Sequence, residues 1–247
     1  MAETVNTEVT QTPLGSRVVA PRYRWLLFDA DGTLFDYDRA ERTALEQALA
    51  QIGVAFEPDH LAAYRRINQS LWQGVEKGEI KPAVVKVRRF ELLLEAIGFA
   101  HSPAALSAGY LECLANCSEL VEDAAVVLGA LHKKYRIAIL TNGLTVVQRG
   151  RLGRSVIRHH VSDLIISEEI GAAKPAKEFF DVAFARLGNP SKREVLMIGD
   201  GWVSDIQGAV EYGIDACWYN PGGKPRPGDH KIIREIASLQ ELRDWLS

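Results

Sequence analysis

The sequence has few cysteines, no long apolar run and no excess of positive charge, and each absence excludes a class of protein. Its 247 residues include only three cysteines, Cys113, Cys117 and Cys217. So sparse and odd a set excludes a disulfide framework and favours buried free thiols. No stretch approaches the roughly 20 consecutive apolar residues of a membrane-spanning helix. The 29 basic and 32 acidic residues argue against a nucleic-acid-binding protein, which carries a basic excess.

Motifs for two common nucleotide sites are also missing. Neither GxGxxG nor GxxxxGK[ST] occurs, which argues against a dinucleotide site and a P-loop. Residues 1–22 contain no apolar run of signal-peptide length. We expect these residues to form a polar, poorly ordered tail, and the protein to be cytoplasmic.

Short apolar runs alternate with longer amphipathic stretches along most of the chain. Such runs are typical of strands buried on both faces of a parallel sheet. The predicted strands are 25–29, 136–142, 163–168, 195–200 and 216–219, and the predicted helices between and after them are 121–134, 177–187, 203–212 and 238–246. This alternation predicts an α/β fold with a doubly wound, Rossmann-like, mostly parallel sheet.

More than 100 residues separate the first two strands, far more than an ordinary crossover needs. Apolar residues recur there at three- and four-residue spacing, and glycines and prolines divide the segment into four stretches. We therefore predict a helical subdomain at 37–119, inserted into an α/β core made of 23–36 and 120–247.

Polar residues follow the apolar runs at the points where four of the strands should end. They are Asp29, Asp31, Thr141, Lys174, Asp200 and Asp205. Because the carboxyl ends of parallel strands line one edge of a sheet, these side chains should meet in one crevice. Clustered carboxylates repel one another, and a hard cation such as Mg²⁺, which prefers oxygen ligands, relieves that repulsion.

These residue types suit phosphoryl transfer through an aspartyl phosphate. Asp29 can bind Mg²⁺ and attack phosphorus, and Asp31 can protonate the leaving oxygen and then activate water. Gly32 permits a sharp turn, and the hydroxyl of Thr33 is expected to bond the Asp31 side chain or nearby backbone. Phosphate monoesters hydrolyse extremely slowly without a catalyst, so an enzyme that cleaves them has to combine several catalytic effects.

The remaining predicted site residues bind or neutralise negative charge. Thr141 and the amide of Asn142 are expected to hold phosphate oxygens, with Gly32 beside them. Lys174 offsets the carboxylates and the charge that develops on the phosphoryl group. Asp200 is predicted to bind the metal directly, and Asp205 to orient Lys174 or a metal-bound water.

Four motifs together resemble the haloacid dehalogenase-like (HAD) superfamily of hydrolases. They are WLLFDADGTLFD (25–36), ILTNG (139–143), ISEEIGAAKP (166–175) and MIGDGWVSD (197–205). The resemblance implies that Asp29 is the nucleophile, Asp31 the acid and base, and Thr141 and Lys174 further catalytic residues. It also implies that Asp29, the backbone carbonyl of Asp31, and Asp200 hold Mg²⁺, and that the helical insert is a cap.

Within that superfamily the chain is most similar to the cytosolic pyrimidine 5′-nucleotidase branch. The similarity lies in INQSLWQGVEKGEI (67–80), RRFE (88–91) and LTNGLTVVQRGRL (140–152). It implies a small phosphorylated substrate, a pyrimidine nucleoside monophosphate. Separately from the resemblance, we expect a monomer or weak homodimer. A sugar-phosphate phosphatase, a phosphomutase, a haloacid dehalogenase and a non-catalytic phospho-ligand binder are the alternatives; the acids Asp31 and Asp200 disfavour the dehalogenase.

Several residues of the insert have two open interpretations. Lys81, Lys86, Arg88 and Arg89 form a basic stretch that we interpret as a solvated helix face, although it would also attract a phosphorylated substrate. Trp72 lies four residues after Asn68 on one helix face and can stack on a base or pack in the core. Phe35 and Tyr37 lie at the entry to the insert and can touch substrate or pack in the core.

Overall fold

The computed structural model describes residues 23–247 and contains one six-stranded parallel sheet, so the predicted tail at 1–22 lies outside the described residues. The strands are β1 Trp25–Phe28, β2 Arg136–Thr141, β3 Asp163–Ile166, β4 Val195–Gly199, β5 Asp215–Tyr219 and β6 Arg234–Ile236. Their order is β3-β2-β1-β4-β5-β6, and every neighbouring pair is parallel. The predicted fold class is confirmed.

The central strand illustrates why the apolar runs fold this way. All four residues of β1 are buried, and successive side chains point to opposite faces. Leu26 and Phe28 pack on one side with α5 (Ala124–Leu131) and α10 (Leu239–Leu246). Trp25 and Leu27 pack on the other side with α8 (Lys177–Arg186) and α9 (Gly208–Tyr212).

Strand β6 was missed by the sequence analysis. It has three residues, of which Arg234 and Glu235 are exposed and only Ile236 is buried. An edge strand this short and charged carries no apolar run for a sequence pattern to detect.

The long insert folds into four helices, as its periodicity predicts. They are α1 Tyr37–Gln51, α2 Pro58–Glu76, α3 Pro82–Ala96 and α4 Pro103–Asn116. We call these helices the four-helix unit. Their apolar faces bury a cluster of their own, to which Leu144 and Val147 of α6 (Thr145–Arg154) also belong. The unit therefore rests on the helix that follows β2.

The stretch predicted as one helix at 203–212 is a π-helical turn followed by a short α-helix. Trp202–Gln207 is a π-helical turn, in which the carbonyl of Gly201 accepts from the N–H groups of both Asp205 and Ile206, at 2.9 and 3.2 Å, and only then does α9 begin. Such widened turns are frequent at functional sites, because they redirect a side chain. Here the turn directs Asp205 to the carboxyl end of β4.

Other expectations concern the cysteines and the membrane. Cys113, Cys117 and Cys217 are free and buried, as predicted. Across residues 23–247, no helix combines the length and the apolar character that crossing a bilayer requires.

Candidate active site

The carboxyl ends of the strands and the four-helix unit enclose a cavity of about 250 Å³. Seven of the residues that the sequence predicts for the site line it: Asp29, Asp31, Thr141, Asn142, Lys174, Asp200 and Asp205. They come from segments far apart in the chain, and the parallel order of β1, β2 and β4 is what brings them together.

Lys174 is the centre of the acidic end of this cavity. Its side chain is 1% exposed, and its Nζ donates to Asp29 Oδ1 at 2.7 Å, to Asp205 Oδ1 at 2.6 Å and to the carbonyl of Leu140 at 2.6 Å. The ammonium therefore uses all three of its donors. Burial lowers the pKa of Lys174, but the carboxylates of Asp205 and Asp29 outweigh it and raise that pKa above its ordinary value. The lysine stays charged and fixed.

The single positive charge of Lys174 does not balance the negative charges of the neighbouring carboxylates. Burial raises the pKa of Asp29 well above its ordinary value; Lys174 opposes this, and the charges of Asp205 and Asp200 add to it. Burial, followed by the charge of Asp205, raises the pKa of Asp200 to about 6. When Asp29, Asp200 and Asp205 are all ionised, three carboxylates face one ammonium, which leaves two negative charges uncompensated within the cluster.

The donor set at this end fits a hard divalent cation. Asp29, Asp200 and Asp205 each offer an oxygen, and these oxygens lie within 4.8 Å of one another. Oxygen-only donors and a charge deficit of two suit Mg²⁺. Asp205 is already engaged, because Oδ1 accepts from Lys174 and Oδ2 accepts from the N–H of Gly201 at 2.9 Å. Asp29 and Asp200 are thus the more open ligands. Asp205 faces Lys174, and its orienting role stays a prediction.

Gly32 and Thr33 shape the site around Asp200. Gly32 adopts a φ of +85°, and a Cβ at this position would lie 2.8 Å from Asp200 Oδ2, so only glycine fits. Its N–H donates to the carbonyl of Phe35 at 3.0 Å, and its contact with phosphate stays a prediction. The Thr33 hydroxyl donates to Asp200 Oδ1 at 3.3 Å and accepts from the Asp200 N–H at 3.1 Å. Its bonds therefore go to Asp200 and not to the Asp31 side chain, which was one of its two expected partners.

Asn142 has a structural task that the sequence did not reveal. Its side-chain amide donates to the carbonyl of Lys174 and accepts from the N–H of Lys174, both at 2.8 Å. The side chain thereby fixes the backbone that carries the lysine, and its second Nδ2–H stays available for a phosphate contact. The hydroxyl of Thr141 accepts from the N–H of Gly143 at 3.0 Å and keeps its own proton for a ligand in the cavity.

Two buried residues of α6 that the sequence analysis missed hold the carboxylate of Asp31. Gln148 Nε2 donates to Asp31 Oδ2 at 2.6 Å, and Arg151 Nη1 forms an ion pair with Asp31 Oδ1. Arg151 is fully buried, and its Nε also donates to the carbonyl of Cys117 at 2.8 Å. The sequence did contain a signal for these two residues: Gln148 and Arg151 are three residues apart on the same helix as the buried Val147.

The four-helix unit closes the far end of the cavity with Tyr37, Asn68, Trp72 and Arg89. Arg89 is 2% exposed, so the interpretation of a wholly solvated basic face is wrong for this residue. It lies on the same face of α3 as the buried Val85 and Phe90, whereas Arg88 points outward. Tyr37 and Trp72 line the cavity, whereas Phe35 is buried with its ring under the guanidinium of Arg151.

Asp29, Lys174 and Asp200 all lie within one stretch of chain that matches a known protein family. The sequence model of the haloacid dehalogenase-like hydrolase family matches residues 23–213. The chain belongs to this family. The resemblance found in the four motifs is thereby confirmed, as is the prediction that the protein is a hydrolase.

Relatives of this HAD hydrolase span nearly its whole length. Pyrimidine 5′-nucleotidase YjjG of Escherichia coli is 33% identical over 225 residues, which cover 91% of this chain and 98% of YjjG. Pyrimidine 5′-nucleotidase PynA of Streptococcus pneumoniae is 34% identical, with 91% and 95% covered. The crystal structure of YfnB from Bacillus subtilis, bound to magnesium, superposes with a TM-score of 0.86 at 34% identity and covers 92% of this chain and 99% of YfnB. The predicted similarity to the pyrimidine 5′-nucleotidase branch is confirmed.

Proposed function

We propose that this HAD hydrolase is a Mg²⁺-dependent phosphomonoesterase that forms an aspartyl phosphate on Asp29, and that its substrates are pyrimidine nucleoside 5′-monophosphates. The observation that carries the chemistry is the Asp29 carboxylate, held 2.7 Å from Lys174 Nζ in the same cavity as Asp31 and Asp200. Two relatives at 33% and 34% identity that are named pyrimidine 5′-nucleotidases support the substrate class.

In the first half-reaction a carboxylate oxygen of Asp29 attacks phosphorus. The bond from phosphorus to the ester oxygen breaks, and Asp31 gives a proton to that oxygen as the nucleoside leaves. The hydroxyl of Thr141 donates a hydrogen bond to a phosphoryl oxygen, and the positive charge of Lys174 beside Asp29 stabilises the negative charge that develops. Asp29 and Asp200, with the backbone carbonyl of Asp31, would hold the cation, which when bound supplies positive charge to the phosphoryl group.

In the second half-reaction Asp31 takes a proton from water, and the water oxygen attacks phosphorus. The bond between phosphorus and Asp29 breaks, inorganic phosphate leaves, and the aspartate is restored. Gln148 and Arg151 support this step, because their contacts with the two oxygens of Asp31 fix the orientation of its carboxyl group. Asp31 thus alternates between acid and base within each turnover.

A substrate screen tests this assignment. Phosphate release from UMP, CMP, AMP, ribose 5-phosphate and glucose 1-phosphate is measured with Mg²⁺ and with EDTA. We expect the highest kcat/KM for the pyrimidine nucleotides, loss of activity in EDTA and recovery with added Mg²⁺. Full activity in EDTA would contradict the metal assignment, and a preference for sugar phosphates would contradict the substrate.

The same screen separates the other chemistries. A mutase would convert glucose 1-phosphate into another phosphate ester without releasing phosphate, and a dehalogenase would release chloride from 2-chloropropionate. A non-catalytic binder would be thermally stabilised by phosphorylated ligands and turn none of them over. The cytoplasmic location and the monomeric or weakly dimeric state stay predictions.

Replacing Gln148 with methionine should slow the hydrolysis of the aspartyl phosphate. Methionine keeps the side-chain volume but removes the 2.6 Å hydrogen bond to Asp31, so the general base is less well oriented. With p-nitrophenyl phosphate, whose leaving group needs no proton, we expect kcat to fall about 10-fold, a fraction of what general base catalysis contributes. Rapid mixing should then reveal a burst of p-nitrophenolate close to the enzyme concentration.

The matched control is Gln207→Met. Gln207 also donates one side-chain hydrogen bond, to Glu211 Oε1 at 2.8 Å, but it does so at the surface. Its kcat should equal that of the native protein. An unchanged or higher kcat in Gln148→Met would mean that Gln148 does not position the base.

A further inference from the structure

The cavity has a second polar end that the phosphoryl chemistry does not use. Arg89 projects from α3 into the four-helix unit, lines the cavity with Tyr37, Asn68 and Trp72, and is 2% exposed. The phosphate-binding groups of the site, Thr141 and Lys174, belong to the α/β sheet and the loops that follow its strands. Arg89 must therefore have a different task.

The guanidinium of Arg89 is only partly satisfied. Nη1 donates to Asn68 Oδ1 at 3.3 Å, whereas Nε and Nη2 are buried with no hydrogen-bond partner among the described residues. No carboxylate of a described side chain forms an ion pair with Arg89; the buried Glu41 is taken by Arg65 at 2.7 Å. Buried donors without partners are costly, so a ligand acceptor at this point would stabilise the site.

Aromatic rings hold this guanidinium in place. Its central carbon lies 5.8, 5.0 and 4.7 Å from the ring centres of Tyr64, Phe90 and Tyr110. These contacts favour the positive charge and limit the rotation of the planar group. Arg89 is thus a preorganised donor, whose orientation is set by the packing of α2, α3 and α4.

The neighbouring polar groups also offer donors. Asn68 Nδ2 donates to the hydroxyl of Tyr37 at 3.2 Å, and its Oδ1 accepts from Arg89, so both ends of this amide are used. Burial raises the pKa of Tyr37 well above its ordinary value, which keeps its hydroxyl proton. The group facing Arg89 and Tyr37 must therefore be an acceptor, such as a carbonyl oxygen.

The rest of this end is neutral and suited to a flat ring. Trp72, Leu114 and Val147 line the cavity around Tyr37 and Asn68. A neutral ring bearing a carbonyl oxygen fits these surroundings better than a second anionic group would, because the ring buries its faces against apolar side chains.

We propose that Arg89, supported by Asn68 and Tyr37, is the specificity-determining residue that donates hydrogen bonds to the O2 carbonyl of a pyrimidine base while Trp72 contacts the ring. Uracil, cytosine and thymine all carry this oxygen, so one buried donor can bind every pyrimidine base. Purines have no exocyclic oxygen at this position and present the ring nitrogen N3 instead. The inference rests on the proposed nucleotidase function and adds the atom that is recognised.

The native protein provides the first test. Sulfur accepts hydrogen bonds much more weakly than oxygen, so kcat/KM for 2-thio-UMP should be about 10- to 100-fold below that for UMP, as expected for a lost bond to a charged donor. The matched control is 4-thio-UMP, which carries the same sulfur on another edge of the ring and should be hydrolysed like UMP. Equal kcat/KM for 2-thio-UMP and UMP would overturn the proposal.

Variants provide the second test. In Arg89→Met the preference for UMP over 2-thio-UMP should fall towards one, while kcat/KM for ribose 5-phosphate, which has no base, should change less than about threefold. Arg88→Met is the control, because Arg88 lies on the outer face and pairs with Glu91; it should behave like the native protein. Equal losses for UMP and ribose 5-phosphate in Arg89→Met would indicate a merely structural role and overturn the inference.

The experiments also separate a variant that fails to fold, and a failure of the proposed function, from a failure of the role of Arg89. If Arg89→Met fails to fold, Arg89→Lys, which keeps the charge but not the planar fork, should show a reduced preference for UMP over 2-thio-UMP, and an unreduced preference would count against the proposal. If the native protein releases phosphate from sugar phosphates but from no nucleotide, the proposed function fails. Hydrolysis of UMP without discrimination against 2-thio-UMP leaves the function standing and rejects the role of Arg89.

Discussion

Asp29→Asn is expected to abolish phosphate release while leaving the fold intact. The amide cannot form the aspartyl phosphate, so kcat should fall by ~10⁴-fold or more, as for other enzymes that lose their nucleophile. Stability should not fall, because burial raises the pKa of Asp29 in the folded protein. An acid whose pKa is raised by folding destabilises the native state above that pKa, so a neutral side chain relieves this cost at pH 7.

Two measurements check this expectation. Urea unfolding should give a free energy for Asp29→Asn equal to or above that of the native protein. Borohydride reduction during turnover should convert residue 29 of the native protein to homoserine, detected by mass spectrometry, and should leave the variant unlabelled. Asp181→Asn, an exposed acid that pairs with Lys177, should retain full activity. A variant at Asp29 that still turned over would show that another group attacks phosphorus.

Lys174→Met should lose both activity and stability. The lysine is 1% exposed and bonds Asp29 and Asp205 at 2.7 and 2.6 Å, and methionine would leave those buried carboxylates without their cation. Removing one partner of a buried ion pair typically costs about 3–5 kcal/mol of unfolding free energy. Phosphoryl transfer should also slow strongly, because the ammonium beside Asp29 would no longer stabilise the transferring group.

The stability loss in Lys174→Met should depend on pH in a defined direction. Without the lysine the pKa of Asp29 rises further, because the positive charge that lowers it is gone. The folded variant then binds protons more readily than the unfolded chain, so its deficit shrinks as the pH falls from 7.5 to 5.5. Urea unfolding at both pH values, without Mg²⁺, measures this. Lys177→Met, at an exposed lysine, should show little change at either pH, and a deficit in Lys174→Met that did not shrink would contradict the charge argument.

The placement of the acids proposed to be catalytic could be predicted because it follows from local patterns. Apolar runs buried on both faces give parallel strands, and the carboxyl ends of such strands share one edge of the sheet. Asp29, Thr141 and Asp200 stand at the ends of such runs, so their convergence required no knowledge of side-chain packing. The free cysteines and the four helices of the insert followed from composition and periodicity in the same way.

Other features depended on packing between distant segments. The pairing of Gln148 and Arg151 with Asp31 joins α6 to the loop after β1, across more than 100 residues. Thr33 bonds Asp200 rather than Asp31, and the π-helical turn at Trp202–Gln207 replaces a regular helix. In each case a polar side chain has several possible partners, and the sequence does not rank them.

The sequence by itself determined the fold class, the positions of five of the six strands and the set of residues that meet at the sheet edge, because hydrophobic periodicity and strand direction are encoded locally. Only the tertiary structure decided that Arg89 turns inward, that Asn142 holds the backbone of Lys174, and that Lys174 is shared between Asp29 and Asp205. The physical reason is that burial and charge pairing arise from three-dimensional proximity. A basic residue has the same letter on a solvated helix face and in an aromatic cage, and only the packing of α2, α3 and α4 around Arg89 distinguishes the two.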